Sequence, residues 1–209
     1  MDVHTTGRHD GALRRRVVET ALALFQTRGI KAVTMDDIAH ALTISKRTLY
    51  LLFTDKEELL LEGLKLGRIR KRQEMEATLA ESPNVLNAIL EIFDHRMQEL
   101  EHTVPAFFTD MGKYRTVTEF FDRCSEADAE EAVAFLRQGV EQGLFRQDID
   151  FDIFYRLLVG QIAQIFNNLL SRDYDVRTVF INIVPVCLRG CATPAGQQLI
   201  DAFLERYRK

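Results

Sequence analysis

Several residue types that other fold classes rely on are scarce in this chain of 209 residues. It has no tryptophan, four prolines and eleven glycines, and it lacks runs in which β-branched residues alternate with polar ones. A half-buried strand needs that alternation, and folds built from many short strands need frequent turn residues. Apolar residues instead recur at helical spacing along the chain. The sequence therefore predicts an all-α fold.

Three further absences concern the compartment. Three cysteines are too few, and odd in number, for a disulfide framework, which favours a reducing environment. The first twelve residues carry no apolar signal core, and no run approaches the ~18 apolar residues of a membrane span. We therefore expect a soluble cytoplasmic protein with no membrane partner.

Recognisable catalytic and ligand motifs are also missing. The sequence has no G-x-S-x-G, no glycine-rich phosphate loop, no H-E-x-x-H and no Cys/His cluster with metal-ligand spacing. His95, Glu99 and His102 recur at helical spacing, but they lie opposite the apolar stripe of the helix predicted over residues 82–104, which indicates a solvated face. We predict no enzyme, no metal site and no cofactor.

The net charge of −4 argues against a nucleic-acid partner, but the charges are unevenly distributed. Residues 1–73 hold 14 basic and 9 acidic side chains, a net of +5, whereas residues 74–209 hold 13 and 22, a net of −9. A basic head on an acidic body is typical of contact with a polyanion. Chance variation in surface charge explains the split equally well.

Four helix signals follow one another in the head. An apolar stripe from Leu13 to Phe25 predicts a first helix that ends at Gly29. Three later helices are predicted where a short polar side chain can cap the free N–H groups of a helix start. These caps are Thr34 with Asp37, Ser45, and Asp55 with Glu58. The tight connection between the second and third helices indicates a helix-turn-helix unit.

The third helix presents a polar face that suits DNA. If Leu49, Leu52 and Phe53 point inward, the 100° step points Arg47, Tyr50 and Leu51 outward. Such a face fits a major groove, and helix starts favour phosphate oxygens. The alternative is a solvated three-helix unit whose caps are only caps.

The run from Thr34 to Leu60 resembles the signature of the TetR family of bacterial transcriptional repressors. The matching residues are Thr34, Ile38, Ala39, Ile44, Ser45, Thr48, Leu49, Tyr50, Phe53, Lys56, Glu57, Leu59 and Leu60, preceded by Ala21, Phe25, Gly29 and Ile30. The resemblance implies an all-α fold of about nine helices. Residues 1–54 would form a helix-turn-helix DNA-binding domain with its motif over about 33–53, and residues 55–209 a larger helical regulatory and dimerisation domain.

The resemblance also assigns site residues, with the recognition helix over Ser45–Phe53. The DNA-binding candidates are Thr34, Ser45, Lys46, Arg47, Thr48, Tyr50 and Lys56. Two departures from the family pattern stand out. Thr43 replaces the usual glycine, so the turn must hold a β-branched residue in a strained conformation. Leu51 and Leu52 replace aromatic or histidine residues, and Leu51 is suited to a thymine methyl group.

The body carries the candidates for ligand binding. Ser125 and Asp128 predict the start of a helix that ends at Gly143. Aromatic residues at helical spacing are usually core, but the resemblance implies a small-molecule inducer of unknown identity held among them. The pocket candidates are Phe108, Phe121, Phe135, Tyr155, Gln161 and Gln164.

Two apolar segments, residues 150–171 and 175–191, predict a dimer interface. They are more apolar than one small domain needs to cover, and the family pairs its last helices in a four-helix contact. The interface candidates are Gly160, Ala163, Asn167, Phe180, Val184 and Cys187.

These observations predict a homodimeric, sequence-specific regulator that binds a double-stranded DNA operator and acts as a repressor released by a small molecule. The alternative is a DNA-binding adaptor whose body is controlled by a protein partner.

Overall fold

The structure is a computed structural model that describes residues 4–167, 174 and 176–207. Side chains are described over 11–125, 127–161, 174 and 177–207. Over these ranges the chain forms ten α-helices, one 3₁₀ turn and no β-strand, so the all-α prediction is confirmed. The helices are α1 His4–Arg28, α2 Met35–Ala41, α3 Lys46–Leu52, α4 Lys56–Glu81, α5 Val85–Glu101, α6 Pro105–Met111, α7 Arg115–Glu141, α8 Phe151–Asn167, α9 Val176–Cys191 and α10 Pro194–Leu204, followed by the turn Glu205–Tyr207. None of these helices has the length and apolar character needed to cross a membrane.

The chain packs as two compact units. The first, here called the head unit, consists of residues 1–71 and 102–119; the second, the body unit, consists of residues 72–101 and 120–209. The head unit therefore contains α6, which follows the fourth helix by more than twenty residues. The functional boundary expected after residue 54 stays a prediction, since it divides the chain by role and not by packing.

The core of the head unit forms on the apolar face of α1. Phe25 is fully buried with Ile38 of α2, Leu49 of α3 and Leu59 of α4. Burial of one such side chain contributes about 1.5–3 kcal/mol. Gly29 ends α1 at φ +86°, a left-handed conformation that glycine adopts without strain.

The starts of α2 and α3 are capped as the sequence predicts. The Thr34 hydroxyl accepts the Asp37 backbone N–H at 3.2 Å, and the Asp37 carboxylate accepts the Thr34 backbone N–H at 2.8 Å. The hydroxyl and then the backbone N–H of Thr34 lower the pKa of Asp37 by hydrogen bonding. At α3, the Ser45 hydroxyl accepts the Thr48 backbone N–H at 3.0 Å. These bonds satisfy donors that a helix start otherwise leaves free.

The turn between α2 and α3 passes through a left-handed residue. Thr43 has φ +56°, whereas no other non-glycine residue of the described ranges has a positive φ. Hydrogen bonds on both sides hold the turn, from Thr43 N–H to His40 O and from Ile44 N–H to Ala39 O, each at 3.0 Å. The expected strain at this position is confirmed.

The body unit has its own core, to which α5, α7, α9 and α10 contribute. Leu86 and Met97 of α5 are buried with Ile200 of α10, on the side of α5 that the sequence marks as apolar. The loops before α8 and α10 meet through an isolated bridge between Phe145 and Ala192.

The helix start predicted at Ser125 and Asp128 is wrong, because α7 runs without a break from Arg115 to Glu141. The Ser125 hydroxyl donates to the carbonyl of Asp122, as serine does inside a helix. Ala129 and Val133 are buried beyond this point, so the apolar face of the helix continues through it. A polar residue caps a helix only where the chain leaves the helical conformation.

The strain at Thr43 gives a stability prediction. Thr43→Gly should raise the free energy of unfolding by about 1 kcal/mol, because relief of left-handed strain exceeds the entropy that glycine adds to the unfolded chain. Thr43→Ala, which keeps a Cβ, should gain little. Urea denaturation of the three proteins measures the difference; equal stability of the glycine and alanine variants would contradict the explanation.

Candidate nucleic-acid interface

The exposed side of α3 follows from its buried side. Leu49 and Phe53 are buried, and the helical step leaves Arg47, Tyr50 and Leu51 exposed. Leu51 is 78% exposed, which is the highest value among the large apolar residues of the described ranges. A side chain so exposed can contact another molecule without disturbing the core.

Arg47 is the cation of α3 whose side chain is available for a new contact. This side chain is exposed, and it forms no hydrogen bond or ion pair with any residue that the structure describes. A guanidinium group presents its donors as a planar fork, which pairs with the two acceptors on a guanine edge.

Lys46 is already paired. Its ammonium group forms an ion pair with the Asp36 carboxylate of α2, and the two side chains are 64% and 55% exposed. Pairs this exposed contribute only about 0–1 kcal/mol, so a phosphate can displace the carboxylate. The contact of Lys46 with DNA remains a prediction that requires this exchange.

Lys56 has a structural role in addition to the predicted one. Its Nζ donates to the carbonyls of Ile30 at 2.8 Å and Val33 at 3.0 Å. Burial lowers the pKa of Lys56, and the nearby charge of Asp110 opposes this only in part. The ammonium group thus joins the start of α4 to the loop before α2, and one of its three donors remains for a phosphate.

Three of the hydroxyl groups proposed for DNA contacts form hydrogen bonds at the helix starts, where Thr34 and Ser45 are the caps. Thr34 donates its hydroxyl hydrogen to Asp37, and the hydroxyls of Ser45 and Thr48 lie 2.8 Å apart. The structure brings Ser45 and Thr48 together at the start of α3, next to the exposed Arg47. Their contacts with phosphate remain predictions.

Asp110 is a functional candidate that sequence reasoning missed. It is the one buried charged side chain of the described ranges, 6% exposed, and it lies on α6. One carboxylate oxygen accepts the Lys31 backbone N–H at 2.9 Å and the other accepts Lys113 Nζ at 2.7 Å. Burial raises the pKa of Asp110, but the hydrogen bonds from Lys113 and Lys31 and the positive charges of these two residues together leave the pKa below its ordinary value.

Further contacts hold α6 and its flanks within the head unit. The Val104 backbone N–H donates to Gln26 O at 2.8 Å, and the Thr116 hydroxyl donates to Glu57 Oε1 at 2.6 Å. A Cβ on Gly29 would lie 3.1 Å from the Cβ of Ala106, so α6 approaches the end of α1 closely. No periodic pattern signals these contacts, because they join residues far apart in sequence.

The six pocket candidates do not form one group. Phe135 and Tyr155 pack against the core of the body unit, and Phe108 packs against that of the head unit. Phe121 is 41% exposed and Gln161 is exposed, whereas the Gln164 side chain lies outside the described residues. The lining of a pocket by these residues remains a prediction.

The interface candidates also differ in exposure. Gly160 is exposed, and a Cβ on it would meet no atom within 4 Å. Phe180 and Val184 pack inward against the body core, and Cys187 is half-buried. The side chains of Ala163 and Asn167 lie outside the described residues.

An exposed apolar stripe on the body unit was not predicted. Ile153 and Leu157 lie one turn apart on α8 and are 56% and 62% exposed, and Gly160 follows on the same face. On α9, which packs against α8, Val186 is 67% exposed. Apolar side chains exposed on two packed helices make these residues candidates for an interface with another protein chain.

Comparisons with known proteins identify a family and relatives that this chain resembles. A family model described as "Bacterial regulatory proteins, tetR family" matches residues 17–62. The transcriptional repressor KstR2 of Rhodococcus jostii is 30% identical over 151 residues, which is 69% of this chain and 74% of the relative.

Solved structures show the same fold. The ketosteroid transcriptional regulator KstR2 of Mycobacterium tuberculosis superposes with a TM-score of 0.55 at 22% identity, covering 86% of this chain and 95% of that one. The fatty acid degradation regulator FadR of Bacillus halodurans gives a TM-score of 0.66 at 17% identity, covering 85% and 95%.

Proposed function

Because the chain belongs to the TetR family of bacterial transcriptional regulators, which bind DNA and are not enzymes, we propose that it acts as a dimeric repressor released by a small apolar ligand. The observation that carries the DNA-binding part is the exposed face of α3. Arg47, Tyr50 and Leu51 combine a guanidinium, a phenol and an apolar tip on a helix whose opposite side is buried. Such a helix reads base edges in a major groove, while capped helix starts meet phosphates.

The charge distribution supports an oriented approach to DNA. The net charge is +5 over residues 1–73 and −9 over residues 74–209. The negative potential of DNA attracts the basic segment and repels the acidic one. Encounters in which the basic segment faces the DNA are therefore favoured. Two copies would place their α3 helices in successive major grooves, about 34–36 Å apart or a multiple of that.

Removal of Arg47 tests this placement of the recognition helix. Arg47→Ala should weaken operator binding by about 1–3 kcal/mol, the value of a lost bidentate base contact, with helical content and dimerisation unchanged. Binding to DNA fragments selected from the genome can be measured by fluorescence anisotropy at several salt concentrations.

A matched control for this variant is Arg115→Ala, which removes the same charge from a side chain that is 90% exposed on α7. Its affinity should stay close to that of the unmodified protein. Unchanged operator binding by Arg47→Ala would move the recognition surface away from α3.

Dimerisation through the body unit is supported by the stripe of Ile153 and Leu157 on α8 and by the exposed Val186 on α9. In an isolated chain these side chains leave apolar surface in water, and Gly160 allows a partner helix to approach closely. Because Phe180 and Val184 pack inward, the interface uses the opposite side of α9 from the one that the sequence favoured.

A charge in this stripe should break the dimer. Leu157→Glu would bury an unpaired carboxylate between two copies, which costs several kcal/mol, so sedimentation should show a monomer at concentrations where the unmodified protein is dimeric. Ile69→Glu places the same charge on an apolar residue of α4 that is 55% exposed, and it should leave the dimer intact. A normal Leu157→Glu dimer would place the interface elsewhere.

The proposed ligand class rests on the relatives and on the composition of the body core. One similar structure is that of a ketosteroid transcriptional regulator and another is that of a fatty acid degradation regulator, and both names indicate apolar compounds. Phe135 and Tyr155 are partly buried aromatic residues of the body unit, which suit such a ligand. Because Asp110 of α6 accepts a hydrogen bond from the Lys31 backbone in the loop before α2, a ligand that moves α6 would break this bond or move the loop that leads into the helix-turn-helix.

Release of DNA by an apolar compound tests the ligand. A ketosteroid or a long-chain fatty acid should raise the melting temperature of the protein and lower its affinity for operator DNA in parallel, since the ligand stabilises the state that does not bind DNA. Acetate serves as the control. If no apolar compound changes either quantity, the alternative of control by a protein partner is favoured.

A further inference from the structure

We infer that Arg14 of α1 positions the recognition helix and thereby sets operator specificity, an inference that rests on the proposed placement of α3 on DNA. Two contacts of its guanidinium are with the end of α3, and a third is with the first turn of α4. Nη1 donates to the carbonyl of Leu52, Nη2 lies 3.4 Å from Glu58 Oε1, and the central carbon lies 4.1 Å from the centroid of the Phe53 ring. Nothing in the helix-turn-helix pattern marks Arg14, which lies 38 residues before Leu52.

The recognition helix needs such a partner because it cannot complete its own C-terminus. It has seven residues, no basic residue in its last turn, and Thr54 instead of a glycine directly after its C-cap residue Phe53. The last carbonyls of a helix have no internal partner, and they carry the negative end of the helix dipole. Arg14 supplies both a donor and a positive charge from another helix.

The groups that Arg14 contacts are themselves held in place. Phe53 is 1% exposed within the head core. Glu58 accepts the Thr54 backbone N–H at 2.7 Å, while its own N–H donates to Asp55 at 2.8 Å. The hydrogen bond from Thr54 is the main cause of the lowered pKa of Glu58, so this carboxylate remains charged opposite Arg14. Arg14 therefore connects α1, the end of α3 and the start of α4 at defined points.

The contact of Arg14 with Leu52 lies next to the side chains that are proposed to face the bases. Tyr50 and Leu51 lie in the last turn of α3, next to the carbonyl that Arg14 binds, and both are exposed. Without Arg14, the turn that carries them loses its hydrogen bond and its ring contact. The base-facing side chains then lose their fixed orientation, whereas attraction to the phosphate backbone does not depend on that orientation.

The competing role for Arg14 is a direct phosphate contact, since its side chain is 41% exposed. The two roles differ in measurable ways. A phosphate contact contributes equally to every DNA sequence, and its loss lowers the salt dependence of binding by about 0.9 in the log–log slope. A positioning contact affects the operator alone and leaves the slope unchanged.

The experiment compares Arg14→Gln, Arg14→Lys and the control Arg15→Gln in the full-length protein. Arg15 carries the same charge on the same helix, but it pairs with Glu19 of α1. Affinities are measured for an operator duplex selected from genomic DNA and for a scrambled duplex of equal length, at several salt concentrations. Circular dichroism and melting curves report whether each variant folds.

Arg14→Gln should weaken operator binding about tenfold, the scale of one charged hydrogen bond, while binding of the scrambled duplex matches that of Arg15→Gln. Arg14→Lys keeps the charge but lacks the planar fork and the stacking face, so it should lose most of the same specificity. The lysine variant keeps the test valid if glutamine impairs folding.

Three results would overturn the inference: operator affinity unchanged in both Arg14 variants, equal loss of affinity for both duplexes with a lower salt slope, or full specificity in Arg14→Lys.

Arg47→Ala, measured in parallel, separates the role of Arg14 from the placement of α3 on DNA. If Arg47→Ala weakens operator binding and Arg14→Gln does not, only the role of Arg14 fails. If neither weakens it, the placement of α3 on DNA fails as well.

Discussion

The burial of one side of a short helix is the constraint on which the proposed DNA contact depends. A seven-residue helix is marginal in isolation, so α3 takes its conformation and direction from Leu49 and Phe53 in the head core. Arg47, Tyr50 and Leu51 point outward because those two side chains point inward. The capping bonds at Ser45 and the contacts of Arg14 at Leu52 then secure the two ends.

Most cations of the head unit that lie near α3 already have partners within the protein. Lys46 pairs with Asp36, Lys56 donates to two loop carbonyls, and Arg14 binds the end of α3. The number of basic residues in the sequence therefore overestimates the number of phosphate contacts. Some of these residues hold α3 and its neighbouring helices in place, whereas the side chain of Arg47 remains available to a base edge.

The place of α6 in the head unit gives the proposed regulation a physical route. A buried carboxylate is costly unless it is fully hydrogen-bonded, and Asp110 meets that condition through Lys31 and Lys113. The hydrogen bond to the Lys31 backbone joins α6 to the loop that leads into α2. A displacement of α6 must therefore break this bond or move the loop with it.

Local patterns in the sequence determined much of the fold. The caps at Thr34 and Ser45 and the inward side of α3 depend on residues within four positions of one another, so spacing alone predicts them. The left-handed turn at Thr43 was expected from the family pattern, which has glycine at this position. The resemblance to the TetR family was carried by the same short segment. Ser125 shows the limit of such patterns, because a capping residue has the same appearance inside a helix as at its start.

Tertiary structure alone decided which distant residues meet. Asp110 binds Lys31 across 79 positions and Arg14 binds Leu52 across 38, and neither pair has a periodic signal. The sequence also did not determine which apolar residues of α8 and α9 face the core. Val184 packs inward, whereas Leu157 and Val186 stay exposed. A sequence records the spacing of apolar residues along each helix, but the side of a helix that meets a neighbour is determined only when all the helices pack together.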